Sequence, residues 1–171
     1  MMLFVAAIVF AFMIVEARRS ARNEAWQRAR GGIEPSGDVY KMMRVAYPAA
    51  FAAMILEGVV RGGPSPASFA AGAALFAAAK ALKWWAILAL GSCWTFRVIV
   101  VPGSALIGDG PYRWLRHPNY VGVVGELIGV ALMTGAIAAG PIATATFGLL
   151  VLKRIAVEER ALRRGVILPR S

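Results

Sequence analysis

The chain has 171 residues, 59% of them hydrophobic and only 16% charged. That balance excludes an ordinary soluble domain and predicts an integral membrane protein, with room for roughly four to six spanning helices of about 20 residues each. The formal net charge of +10 does not point to nucleic acid, because the arginines lie between apolar segments, where membrane topology accounts for them.

Residues 2–15 are the first apolar run, lengthened by Glu16 and Ala17. No basic residue precedes the run and no small-residue cleavage site follows it, so a span is expected rather than a signal peptide. A basic stretch comes next. In it, Gly31, Gly32 and the Pro35-Ser36-Gly37 triplet mark a loop after a short amphipathic helix. Residues 45–60 predict a second span, and "RGGPSP" a turn. Residues 67–90 read as one long tilted span. It contains Lys80 and Lys83, which are expected to snorkel toward the interface. Residues 91–110 form a long connector. Its Cys93 is the only cysteine, which excludes an internal disulfide and a multi-cysteine metal site, and it reads as packing. Then comes "GPYRWLRHPNY", Gly110 to Tyr120, with the only histidine of the chain. Residues 121–136 and 141–157 predict the fourth and fifth spans, joined by "IAAG".

The basic residues orient these spans. The first loop carries seven Lys/Arg, the connector with the histidine stretch three and the C-terminal end six, whereas the opposite side carries only Arg61. This asymmetry predicts five spans, with the N-terminus outside and the C-terminus cytoplasmic. The expected fold class is therefore all-α: a polytopic integral membrane protein forming one domain over residues 1–171, with its core motifs in residues 81–164.

Three constellations carry chemistry. Pro118 pushes His117 out of helical geometry. Asn119 is expected to N-cap the next span, whose free N–H groups suit a carboxylate. A belt of Tyr, Trp and Arg anchoring a helix end explains the same residues equally well. A lone histidine builds no metal site, and none is expected. In "KRIAVEERALRR", Arg154 and Glu158 stand at i,i+4, as do Glu159 and Arg163. Either this is a salt-bridged helix end or its adjacent carboxylates hold something cationic. Glu57, Lys80, Lys83 and Glu126 are ionisable groups within spans, which face a cavity or one another. Glu126 is expected to line a polar cavity, paired with a lysine or Arg154. Together these features predict a cytoplasm-facing pocket at membrane depth, open to a polar ligand from one side and a lipophilic one from the other.

"GPYRWLRHPNYVG", followed by "RIAVEERAL" beyond an apolar hairpin, resembles the isoprenylcysteine carboxyl methyltransferase family. "SARNEAW", Glu57 and Glu126 resemble a bacterial branch associated with type III polyketide synthases, whose members O-methylate alkylpyrones or alkylresorcinols. The resemblance implies a membrane-embedded methyltransferase that uses S-adenosylmethionine without a Rossmann sheet, and no G-x-G-x-x-G turn is present. It implies that Pro111, Tyr112, Arg116, His117, Pro118, Asn119 and Tyr120 shape the cofactor loop, closed from the last helix by Arg154, Glu158 and Glu159. Glu126 or His117 would take a proton, and Arg154 or Arg164 would orient the acceptor. The expected partners are a lipophilic acceptor and membrane lipids, in a bacterial inner membrane with the site facing the cytoplasm. Many members continue with F-G-x-x-Y-x-x-Y after the second motif. Here Leu162 is followed by "RRGVILPRS", which favours a small lipid acceptor over a prenylated protein. A phospholipid or amine N-methyltransferase and a non-enzymatic membrane scaffold are the alternatives.

Overall fold

Among the described residues, long stretches rich in alanine, leucine and valine, punctuated by glycine and proline, build five α-helices: α1 (Met2–Arg28), α2 (Tyr40–Val60), α3 (Pro66–Leu90), α4 (Pro118–Thr134) and α5 (Ala139–Ile167). The computed structural model describes residues 1–104 and 107–167, with side chains as far as residue 161. Among the described residues the only sheet-like pairing is an antiparallel bridge between Ile33 and Val100. Tyr40–Val60, Pro66–Cys93 and Ala139–Ala161 are long and apolar enough to cross a membrane, and α4 is a shorter apolar helix. Large apolar side chains such as Leu3, Leu56, Val60, Ile142 and Leu149 face outward, as hydrocarbon as a solvent requires. The fold is that of an integral membrane protein.

The first helix departs from expectation. The apolar run and the basic stretch after it are one helix of 27 residues, not a span followed by a separate short helix. The physical reason is the absence of any glycine or proline between Met2 and Arg28. The break falls at Gly31, whose φ of 77° suits a residue without Cβ. The polar side of α1 then grips the connector. Ser20 Oγ accepts from the Phe96 N–H at 2.7 Å, Asn23 Nδ2 donates to the Gly91 and Trp94 carbonyls at 3.0 and 2.7 Å, and Gln27 Nε2 donates to the Ser92 carbonyl at 2.9 Å. The "SARNEAW" stretch therefore holds a loop in place.

Close packing of α3 on α4 sets the depth of the charged residues. A Cβ on Gly122 would lie 2.8 Å from the Lys83 Cβ, and one on Gly129 would lie 2.8 Å from the Phe76 nitrogen. Small residues at such points let two helices approach in a bilayer. A core of Val5, Val9, Phe51, Met54, Leu127 and Val130 fills the space among α1, α2 and α4. Glu57, expected among the charges that face a cavity or one another, has a different role. Its carboxylate accepts from the Ala138 and Ala139 N–H groups, the latter at 2.6 Å, and so satisfies the start of α5.

Candidate functional site: two cavities with a common wall

Both sequence motifs face one polar cavity of about 380 Å³. The connector supplies Arg97 and the residues from Val98 to Val101, the histidine stretch supplies Tyr112, Arg116, His117, Asn119 and Tyr120, and α5 supplies Arg154, Glu158 and Glu159. His117 Nε2 lies 3.3 Å from Glu159 Oε1, and Arg116 Nη1 lies 4.0 Å from the same oxygen with 85% of its side chain exposed. Burial and then the Glu158 charge push the Tyr112 phenol well above its usual range, so it stays protonated. Two expected loop residues stand behind the cavity instead of bordering it. Pro111 is buried in a single 3-10 turn, Gly110–Arg113, and Pro118 is buried at the first position of α4. Proline at that position explains why His117, not Asn119, is the flanking residue of the helix. Asn119 does not cap; its Oδ1 accepts from Trp94 Nε1 at 3.2 Å. Cys93 is exposed and borders the cavity, so the packing reading is corrected.

One wall is built around Arg154, which is buried. Its Nε donates to the Tyr120 hydroxyl at 2.9 Å, and that hydroxyl donates to Glu158 Oε2 at 2.7 Å. Its Nη1 lies 3.0 Å from Asp38 Oδ1. Asp38 also accepts from the N–H groups of Tyr40, at 3.0 Å, and Val98, at 2.9 Å. The expected Arg154 to Glu158 pair is thus replaced. Tyr120 stands between the two, and the acid that meets Arg154 comes from the loop before α2. Asp38 escaped the sequence reading because an aspartate two residues before a helix looks like an ordinary cap.

Behind this wall lies a second, largely apolar cavity of about 350 Å³. Phe10, Met13, Met43, Pro48, Val123 and Phe147 supply its apolar surface. The two cavities share Trp94, Thr95, Asn119, Tyr120 and Arg154. Glu16, Tyr47 and Lys83 border the apolar cavity alone.

Those three belong to a buried charge cluster that joins four helices. Lys80 Nζ lies 2.9 Å from Glu16 Oε1 and 2.9 Å from Glu126 Oε1, while Lys83 Nζ lies 2.7 Å from Glu16 Oε2 and 3.4 Å from Glu126. The Tyr47 hydroxyl donates to Glu126 Oε2. Glu126 Oε1 meets Lys80 at an angle that makes an ion pair and no hydrogen bond. Neither lysine snorkels, because two buried carboxylates hold them. Glu126 does pair with lysines as expected, but it is not among the residues bordering either cavity, so it is not placed to take a proton there. Glu16 read as a mere extension of the first apolar run. Only the packing of the helices brings it opposite the lysines. The side chain of Arg164, expected to orient an acceptor, lies outside the described residues.

The connector over the polar cavity is pinned by ions. Arg97 lies 3.0 Å from Glu24 and 2.8 Å from Glu34, and Arg28 pairs with Glu34 at 2.9 Å. Burial alone would raise the Glu34 carboxyl, but hydrogen bonds from Arg97 and Arg28 and their charges hold it below its ordinary value of 4.5.

Residues 72–164 match the isoprenylcysteine carboxyl methyltransferase (ICMT) family, more than half of the chain. The chain belongs to that family. Two relatives are similar along nearly their whole length. An uncharacterized protein of Bacillus subtilis, YpbQ, is 29% identical over 92% of this chain and 94% of its own. An uncharacterized protein of Haemophilus influenzae is 25% identical over 91% of each. No solved structure matches. Membership in the ICMT family makes methyl transfer within a membrane the activity to be read from the site. It also divides the site. His117, Tyr120, Arg154, Glu158 and Glu159 fall inside the matched residues, whereas Glu16, Asp38 and Tyr47 lie before them.

Proposed function

We propose that this chain is a membrane O-methyltransferase that binds S-adenosylmethionine in the polar cavity and a lipophilic acceptor in the apolar one. The observation that carries the reading is the common wall, where a polar and an apolar cavity share Asn119, Tyr120 and Arg154. The residues present fit the cofactor. The Glu158 and Glu159 carboxylates suit its ammonium or ribose hydroxyls, and Arg116 suits its carboxylate. The cavity volume lies within the range of small-molecule sites.

When bound, S-adenosylmethionine supplies an activated methyl group: the carbon–sulfur bond breaks as a carbon–oxygen bond forms on the acceptor, the electron pair stays on sulfur as a neutral thioether, and a hydroxyl acceptor gives up its proton. The chain's own task is alignment and exclusion of water. Arg154, locked between Asp38 and Tyr120, orients an acceptor oxygen at the wall. His117 takes the proton, and Glu159, 3.3 Å away, balances the charge that the ring gains. A carboxylate acceptor needs only the cation.

The expected acceptors are small amphiphiles, with alkylpyrone or alkylresorcinol hydroxyls and isoprenylcysteine carboxylates as the two chemical types. The site would face the cytoplasm of a bacterial inner membrane, with the N-terminus outside. The test is transfer of a labelled methyl group by purified protein to four acceptors: a long-chain phenol, a long-chain pyrone, an isoprenylcysteine and a phosphatidylethanolamine. Label on oxygen of any of the first three supports the reading. Label on the ethanolamine nitrogen would make the chain an N-methyltransferase, and label on none would remove the enzymatic reading.

A further inference from the structure

Asp38 borders neither cavity, yet it is bonded to residues of both. Its Oδ2 accepts from the N–H of Val98, which borders the polar cavity, at 2.9 Å. Its Oδ1 accepts from the N–H of Tyr40, which borders the apolar cavity, at 3.0 Å. The same oxygen meets Arg154 Nη1, in the common wall, at 3.0 Å. With only 4% of its side chain exposed, Asp38 offers no surface to a ligand. A buried carboxylate with three donors on it instead fixes the segments that the donors belong to. A second link runs beside it. The Arg97 guanidinium, of the polar cavity, lies 4.6 Å from the ring centre of Tyr40, of the apolar one. The connector is the segment these links control. Trp94 and Thr95 border both cavities, Phe96 the apolar one, and Arg97 and Val98 the polar one. From Trp94 to Ile99 it is neither helix nor strand, so contacts with other elements set its position.

We propose, on the basis of the two-ligand reading above, that Asp38 is a positioning residue that couples the two cavities, so that cofactor and acceptor each tighten the binding of the other. With the polar cavity filled, the connector is held, Val98 holds the Asp38 carboxylate, and the carboxylate holds Arg154 in the orientation that meets an acceptor oxygen. Ordering the connector from one side removes part of the entropy cost of ordering it from the other. The effect is reciprocal by linkage: the factor by which the cofactor tightens the acceptor is the factor by which the acceptor tightens the cofactor. The acceptor then binds best where the methyl donor is already in place. The two oxygens of Asp38 are both needed. An asparagine has one acceptor oxygen and an amide nitrogen that only donates, so it serves Val98 or Arg154 but not both. Asp38 and Tyr40 lie before the family-matched residues, so the coupling belongs to the segment that this chain adds to them.

The test is calorimetric titration of the full chain with two probes. One is S-adenosylhomocysteine, the demethylated cofactor, which permits no turnover. The other is the tightest binder among the long-chain phenol, the long-chain pyrone and the isoprenylcysteine. The acceptor probe should bind the intact protein about tenfold more tightly once S-adenosylhomocysteine is saturating, and S-adenosylhomocysteine should gain the same factor from the acceptor probe. Hydrogen exchange at the Val98 amide should slow with the acceptor probe alone, although Val98 does not border the apolar cavity. In Asp38→Asn the coupling should fall to within about twofold of none, while acceptor affinity for the cofactor-free protein stays within about threefold of the intact value. A merely structural loss weakens both states alike. Equal acceptor affinity with and without S-adenosylhomocysteine in the intact protein overturns the coupling whether or not the variant folds. Coupling that survives in Asp38→Asn overturns the role of Asp38. The readings separate cleanly: binding of both probes without mutual effect removes the coupling alone, whereas failure of S-adenosylhomocysteine, or of all three acceptor probes, to bind removes the proposed function and the coupling with it.

Discussion

The two sides of the Tyr120–Arg154 wall are built by different means. On the polar side the residues come from two contiguous motifs and the connector, and all eight of the motif residues fall within a single family match. On the apolar side they come from all five helices, α1 to α5, together with Trp94, Thr95 and Phe96 of the connector, with no single motif joining them. Contiguous residues on a loop and a helix end carry the contacts expected for a cofactor common to the family. Scattered residues on long helices shape the space expected for an acceptor peculiar to this chain. The same difference recurs in the charges. The polar-side ions are partly exposed, as in Arg116 with Glu159, whereas the apolar-side ions are buried and mutually neutralised.

The comparison is broken most severely at Arg154, which belongs to both sides. Arg154→Ala leaves Asp38 as a buried, unpaired carboxylate, so turnover should be lost and the fold destabilised by about 3–5 kcal/mol. Arg154→Lys should also be inactive, because a lysine point charge does not reproduce the two separately directed donors. Labelled methyl transfer and thermal unfolding in detergent check both variants.

The buried cluster should respond strongly to imbalance and weakly to balanced removal. Lys83→Met alone leaves two carboxylates facing one lysine and should cost about 3–5 kcal/mol. Adding Glu16→Leu should restore most of that loss. A double variant as unstable as the sum of the single ones would show that the residues act independently.

A smaller effect is expected where α3 meets α4. A Cβ at Gly129 would press on the Phe76 backbone at 2.8 Å, and Gly129→Ala should cost about 1–3 kcal/mol. The same substitution at Gly148, where nothing lies within 4 Å, should be tolerated, as unfolding temperature will report.

The smallest effect concerns pH. The carboxyl of Glu34 is held below its ordinary 4.5 by Arg97 and Arg28. Its contribution is therefore fully present above that value and is lost as pH falls through the lower, folded-state value. Hydrogen exchange at the Ile33 and Val100 amides, which form the bridge beside it, should quicken relative to the helix amides in that acid range.

How much was legible in the sequence follows the same division. Apolar runs disclosed α2, α3 and α4 within a few residues but stopped short of the polar ends of α1 and α5, and the Lys/Arg bias gave an orientation that is still a proposal. The motif residues His117, Tyr120, Arg154, Glu158 and Glu159 were legible because they are contiguous and polar in an apolar chain. The partners of Arg154 and of the lysines were not. Asp38 lies 116 positions from Arg154, and Glu16 lies 64 from Lys80. No local period links such residues; only the packing of helices does. Pro118 marks the early start of α4, but Asn119 beside it carries the stronger capping signal.

The central claim is that the polar cavity binds S-adenosylmethionine through the carboxylates of α5. Calorimetric titration of purified, folded protein with this cofactor, beside the Glu159→Ala variant, tests it most directly. The account predicts saturable binding by the intact protein that weakens at least about tenfold in the variant. Absence of binding by the intact protein, or binding undiminished in the variant, would contradict it.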